Sequence, residues 1–185
     1  MEQAERDQVL RLLTESRDFL CQTVAGLSAD QQAFKPGADR WSIADCVEHT
    51  AVVESTILAG IERALSAPAP AERAQAAVTD QFLLDRVPTR STRIQGPPGL
   101  MPSGRWVDCD GSVDAFRSVR ERTVEFAAST DADLRAYSFP HPVFGAMDCY
   151  QWLLAVAGHC ERHVHQMEEI KASPGFPASA GSAQA

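Results

Sequence analysis

The side chains with the most chemistry to offer in this sequence are five histidines, His49, His141, His159, His163 and His165. His159 and His163 stand four residues apart, one turn of a helix, so their rings leave the same face. That face also carries Val156 and Met167, so both rings are expected to point inward. His49 lies beside Cys46 and Val53, on the shoulder of a second apolar stripe. Three neutral imidazoles converging on one point suit a divalent transition metal such as zinc, nickel or iron, with a coordination position left for water or substrate. The spacing His-x-x-x-His is a weak signal by itself, because a buried histidine is often ordinary hydrogen-bonded core. Three inward histidines, however, would need three separate sets of buried partners, whereas a shared ion satisfies one nitrogen of each ring at once. The other ring nitrogens then call for acceptors, either glutamate or backbone carbonyl.

The remaining candidates read more plainly. Cys21, Cys46, Cys109, Cys149 and Cys160 are odd in number and have no Cys-x-x-Cys spacing, as expected of reduced thiols that fill a core. Cys46 precedes His49 by one turn and Cys160 adjoins His159, so a thiolate ligand stays open beside the simpler packing role. His165 falls with Glu161 and Glu168 on an outward, solvated face. His141, between Pro140 and Pro142, shapes the loop that enters the last helix, with a place at the site entrance left open. Glu48 and Glu161 adjoin ligand positions but point away on a helix, so no catalytic acid or base is assigned.

These histidines must be positioned by helices. Val9, Leu12, Leu13, Leu20, Val24 and Leu27 recur at three- and four-residue intervals through 2–27, and Ser28 with Gln31 forms a capping-box pattern just after. A second helix starts at Ser42, where Ser42 and Asp45 favour a helix start, and ends at Ser66-Ala67-Pro68. Residues 71–111 predict a long crossover with one short helix, and whether 71–104 covers the site or merely wraps the bundle stays open. A third helix is expected from about Ser112 and a fourth from about Asp148 to Ala172, separated by a loop over 131–147 in which no convincing strand is seen. Four such helices make an all-α four-helix bundle. The short 1–2 and 3–4 connections favour antiparallel neighbours, and the long crossover between helices 2 and 3 carries the chain back, giving an up-down-down-up order. Helices two and four then run antiparallel. His49 stands seven residues past Ser42, about 10 Å along its helix at ~1.5 Å per residue, which brings it level with the later part of helix four.

Length and charge bound the rest. At 185 residues a single domain is expected over 1–172, with a small, polar, disordered tail over 173–185. Seventeen Lys and Arg against 25 Asp and Glu leave a formal net charge of −8, which argues against nucleic acid and against an anionic membrane surface as partners. No apolar run approaches the ~20 residues that cross a bilayer. The acidic start, MEQAERDQ, is neither a signal nor a transit peptide, so a cytoplasmic protein is expected.

Two segments carry a family resemblance. Trp41-Ser42-Ile43-Ala44-Asp45-Cys46-Val47-Glu48-His49 resembles the WSxxExxxH segment of the DinB-like (damage-inducible, YfiT-like) family. His141-Pro142-Val143-Phe144-Gly145, Trp152-Leu153 and His159-Cys160-Glu161-Arg162-His163-Val164-His165-Gln166 together resemble its HPxFGxxxxxxWLxxxxxHxxRHxxQ segment. The resemblance implies the same four-helix topology and a metal triad at His49, His159 and His163, holding nickel, zinc or iron. It also implies a homodimer, as in many members, and a small-molecule substrate. Some relatives are thiol-dependent S-transferases or isomerases using bacillithiol, mycothiol or glutathione; most are described as metal-dependent hydrolases or stress-induced proteins. The implied function is metal-dependent hydrolysis or thiol-dependent S-transfer with a low-molecular-weight thiol. The alternatives are a non-catalytic metal- or ligand-binding bundle of the stress response, and a bundle whose histidines are ordinary core. Arg162 and Gln166 match the pattern and are read as support for the ligands or as helix packing, and Trp41 and Trp152 as core anchors.

Overall fold

In a computed structural model of the chain, residues 1–68, 70, 75–90 and 96–178 are described. Each long helix starts where a side chain satisfies the free N–H groups of its first turn. Glu2 and Glu5 box the start of α1 (Gln3–Val24), and Ser28 and Gln31 box that of the short α2 (Ala29–Ala33). Ser42 and Asp45 do the same for α3 (Ile43–Leu65), and Asp148 and Gln151 for α6 (Cys149–Lys171). Thr79 opens α4 (Asp80–Arg86), the short helix of the crossover, and a 3₁₀ turn follows at Pro98–Leu100. The helix α5 (Cys109–Ser129) begins ahead of the expected Ser112, because Asp108 accepts the Gly111 N–H and caps it there.

The four long helices form the expected bundle. Arg6 near the start of α1 donates to the carbonyls of Ala127, Ala128 and Thr130 at the end of α5, so these two run antiparallel. Tyr150 on Gln8 and Cys160 on the Ser16 carbonyl make α6 parallel to α1. Glu54 with Arg120 and Glu62 with Arg122 make α3 parallel to α5, and the order is up-down-down-up. One expectation is corrected. The principal packing pairs are α1–α6, α6–α3, α3–α5 and α5–α1. The helices joined by the shorter connections, α1 with α3 and α5 with α6, therefore face each other across the diagonals and are not adjacent. Residues 25–42 and 130–148, at up to about 3.3 Å each, easily reach across an end whose diagonal is roughly 14 Å.

The loop before α6 is also more regular than expected. β1 (Ser138–His141) pairs antiparallel with β2 (Gly145–Asp148), a hairpin too short for its alternation to show in the sequence. It is fastened by contacts: Phe139 stacks on Trp152 with ring centroids 4.5 Å apart and lies so close to α3 that a Cβ at Gly60 would come within 3.1 Å of its ring. The described part of the polar tail, 173–178, lies against α2. Phe176 meets Phe34 edge-on, and the Pro177 carbonyl accepts from Gln31 at 2.9 Å. The tail's remaining positions, 179–185, fall outside the described residues. Among the described residues no helix is long and apolar enough to cross a membrane.

Two apolar clusters fill the bundle. One gathers Leu13, Ile57, Ile61, Leu134, Met147 and Leu153; the other gathers Leu20, Ile43, Val47, Phe116, Val164 and Met167. A buried ion pair bridges the helices at mid-height. Arg120, 0% exposed, donates to both carboxylate oxygens of Glu54 at 2.8 Å, to the Leu13 carbonyl at 2.6 Å and to Ser16 Oγ at 2.8 Å. Such a pair holds only while both charges and their hydrogen bonds are matched. Arg120→Met is therefore expected to cost about 3–5 kcal/mol in urea unfolding, because Glu54 is left buried alone. The double variant Arg120→Met, Glu54→Leu should recover most of that loss, and equal losses in the single and double variants would contradict this account.

Candidate metal centre

The antiparallel packing of α3 on α6 brings an early turn of one beside a late turn of the other. His49 thereby meets His159 and His163, with one nitrogen of each ring lying within 4.8 Å of those of the other two. His49 and His163 are each 6% exposed, and His159 is partly exposed. All three sequence-selected positions come together.

The hydrogen bonds fix which nitrogens face the centre. His49 Nδ1 lies 2.7 Å from the Leu100 carbonyl oxygen, so Nδ1–H donates and Nε2 keeps its lone pair. Gln166 Oε1 accepts from Arg90 at 2.9 Å, which sets its amide orientation, and it also accepts from His163 Nδ1 at 3.1 Å. His163 Nε2 is thus a second free lone pair, and it lies 3.2 Å from His159 Nε2. Two lone pairs cannot rest at that distance. Either a proton on His159 Nε2 sits between them, or a cation does. Nitrogens bound to one ion at about 2.1 Å, at angles between octahedral and tetrahedral, lie about 2.9–3.4 Å apart; the His159–His163 pair already has that spacing, and the wider three-nitrogen set, within 4.8 Å, would draw in around a small divalent ion.

The walls come from the crossover and from Trp41. Trp41 lies 4.8 Å from His49 and stacks on His163 at 5.7 Å between centroids, so it lines the site as well as packing beside Cys46 and Val47. Glu48, only 4% exposed, accepts the backbone N–H groups of Ser103, Gly104 and Arg105 and pairs with the Arg105 side chain at 2.6 Å. Burial would raise its pKa; the hydrogen bonds from Ser103 and Arg105 outweigh this and hold the carboxyl below its usual range. Glu48 thus clamps 103–105 onto α3, one residue from His49, while Leu100 of the same segment holds the His49 ring. This role was missed in the sequence, where helical periodicity turned Glu48 away from the core; it does turn away, toward the crossover. Part of the 71–104 segment therefore borders the site, and 71–74 and 91–95 lie outside the described residues.

The other candidates separate from the centre. His141 Nδ1 accepts from the N–H groups of Val143 and Phe144, shaping the hairpin turn, and burial pushes its pKa down to about 4. His165 stays exposed, 3.9 Å from Glu161. Cys46 and Cys160 are fully buried; burial raises both thiols, that of Cys160 to about 11, and Cys160 Sγ donates to the Ser16 carbonyl. Neither joins the histidine group.

The sequence pattern of the DinB superfamily matches residues 12–167. An uncharacterized protein of Bacillus subtilis, YuaE, is 26% identical over 163 residues, covering 88% of this chain and 96% of that protein. The structure of YfiT from Bacillus subtilis, described as a probable metal-dependent hydrolase with an unusual four-helix bundle topology, is similar with a TM-score of 0.64. It is 17% identical and the match covers 96% of this chain and 91% of that one.

Burial lowers the pKa of all three imidazoles below 6.5, aided at His159 and His163 by their histidine neighbours. As pH falls below that value, the unfolded chain takes up protons that the folded chain refuses, so the stabilising contribution is complete above pH 6.5 and is lost below it. Without metal, Tm should fall between pH 7 and pH 5, and fall less steeply in His163→Gln; equal slopes in the two proteins would contradict the lowered pKa.

Proposed function

The chain belongs to the DinB superfamily, and on that footing we propose that it is a metal-dependent enzyme whose three-histidine centre acts on a small molecule. One observation carries this reading: three imidazoles on two helices, with at least two lone pairs fixed toward one point by hydrogen bonds from the far side of each ring. The description of YfiT as a probable metal-dependent hydrolase supports the same reaction class. A divalent ion held by His49, His159 and His163 would supply Lewis-acid chemistry, making a water or thiol more acidic and a carbonyl more electrophilic. With water as the nucleophile the reaction would be hydrolysis, and with a low-molecular-weight thiol it would be S-transfer.

The chain's own residues do three jobs in this reading. His49, His159 and His163 hold the ion; Leu100 and Gln166 keep two of the rings in the ligating tautomer. Trp41 closes one side of the centre against water. Glu48 is spent on the backbone of 103–105 and works as an anchor, so the proton of an attacking water or thiol passes to solvent or to the substrate.

Untagged protein is expected to carry about one nickel, zinc or iron per chain by elemental analysis, and His163→Ala to lose it together with turnover of ester, amide or thiol-plus-electrophile substrates. A parent protein without stoichiometric metal, or equal turnover by both proteins, would contradict the proposal. Glu48→Gln should weaken metal retention roughly 10–100-fold in a chelator competition, because the crossover that orients His49 comes loose. Unchanged retention would remove Glu48 from the site's support.

A further inference from the structure

The hairpin holds a histidine that the metal centre does not use, yet its ring is fixed as firmly as those of the ligands. His141 Nδ1 accepts the backbone N–H of Val143 at 3.0 Å and that of Phe144 at 3.1 Å. A ring nitrogen that accepts two donors carries no proton, so the proton of the neutral ring sits on Nε2. The ring stacks on Phe144 with centroids 4.5 Å apart and leans on Trp152 at 5.1 Å. Shaping the turn requires only the Nδ1 lone pair. The Nε2–H, on the edge of the ring turned away from Val143 and Phe144, is left to be explained.

No described residue accepts from this N–H, and among the described residues no buried side-chain nitrogen or oxygen lacks a partner. Nε2–H is therefore a fixed donor open to a ligand. Its place in the fold sets it on the same seam as the metal centre. Trp152 and His159 are seven residues apart on α6, two turns and about 10 Å, so they share one stripe with Val156 between them. Across the seam, Phe139 of the hairpin packs on Gly60 of α3, three turns past His49. A charge on His141 would be felt at His159, which puts the two rings within electrostatic reach of each other.

We infer that His141 is a substrate-binding residue, its Nε2–H donating to an oxygen of the small molecule that lies two turns of α6 from the ion-holding histidines. The substrate class is then one that carries a carbonyl oxygen remote from its reacting bond. The inference rests on the metal-enzyme reading for its meaning, though the donor is measurable separately.

The test uses para-acetylbenzohydroxamate, whose far end carries a carbonyl oxygen, and para-isopropylbenzohydroxamate, the same shape without it. Calorimetry on the full chain loaded with zinc should show about five- to tenfold tighter binding of the acetyl probe, the worth of one hydrogen bond. Nitrogen NMR of histidine-labelled protein, zinc-loaded and metal-stripped, should find the His141 proton on Nε2, shifted by the acetyl probe and not by the isopropyl one. His141→Asn keeps an acceptor oxygen for the turn but has no donor at the Nε2 position, so it should retain Tm and zinc content and lose the preference. His141→Gln returns an N–H near that position without the turn acceptor, and should recover part of the preference at a lower Tm. A merely structural His141 would make the preference follow Tm instead. Equal affinity for the two probes, a proton on Nδ1, or a preference that survives in folded His141→Asn would overturn the inference. Zinc content of the same samples reports the metal reading independently. Stoichiometric zinc without an acetyl preference would keep the centre and remove the donor; a chain that holds no zinc but whose Nε2–H still responds to the acetyl probe would do the reverse.

Discussion

Three imidazoles packed within 4.8 Å of one another, and largely shielded from water, impose the constraint to which the rest of the site is fitted. Such rings stay uncharged at neutral pH, since burial and mutual proximity both penalise the protonated forms. Uncharged rings still need a defined tautomer. The bonds from His49 to Leu100 and from His163 to Gln166 supply it, each by occupying Nδ1 and turning Nε2 toward the centre. What these two partners have in common is dependence on the crossover. Leu100 belongs to it, and Gln166 is itself gripped by Arg90. The segment between the second and third long helices is therefore part of the site's construction and not simply a connection.

The bundle's own architecture sets the height at which these rings meet. Arg120 ties α5 to α3 through Glu54 and to α1 through Leu13 and Ser16. Cys160, the neighbour of His159, closes the ring by donating to the Ser16 carbonyl. All four long helices are thus referenced to one buried polar node. A helix sliding by one turn, about 5.4 Å, would strand the Arg120 charge and also pull His159 and His163 away from His49. Register of the fold and geometry of the site are held by the same residues.

Much of this was legible in the sequence, and the boundary of legibility has physical causes. Helix starts at Ser42 and Asp148 were visible because capping is local chemistry, read over three or four residues. The pairing of His49 with His159 and His163 was visible because it needs only helix direction and depth. The circular order of the helices was not. Short connections constrain direction strongly but adjacency weakly, since loops of this length reach a diagonal neighbour as easily as an adjacent one. The 138–148 hairpin escaped because strands of four residues are too short to show alternation, and Phe139 packs partly against α3 at Gly60, far away in sequence. Glu48 escaped for a similar reason: its partners are backbone N–H groups of an irregular segment more than fifty residues away, and no periodicity announces those.

The most direct test of the central claim is X-ray absorption spectroscopy of the full-length protein loaded with one equivalent of nickel or zinc. The account predicts a first shell containing three imidazole nitrogens at about 2.0–2.1 Å, with the outer-shell scattering of histidine rings and the remainder of the shell filled by oxygen. A shell made up of sulfur from the buried cysteines, or of solvent oxygen without imidazole scattering, would contradict it.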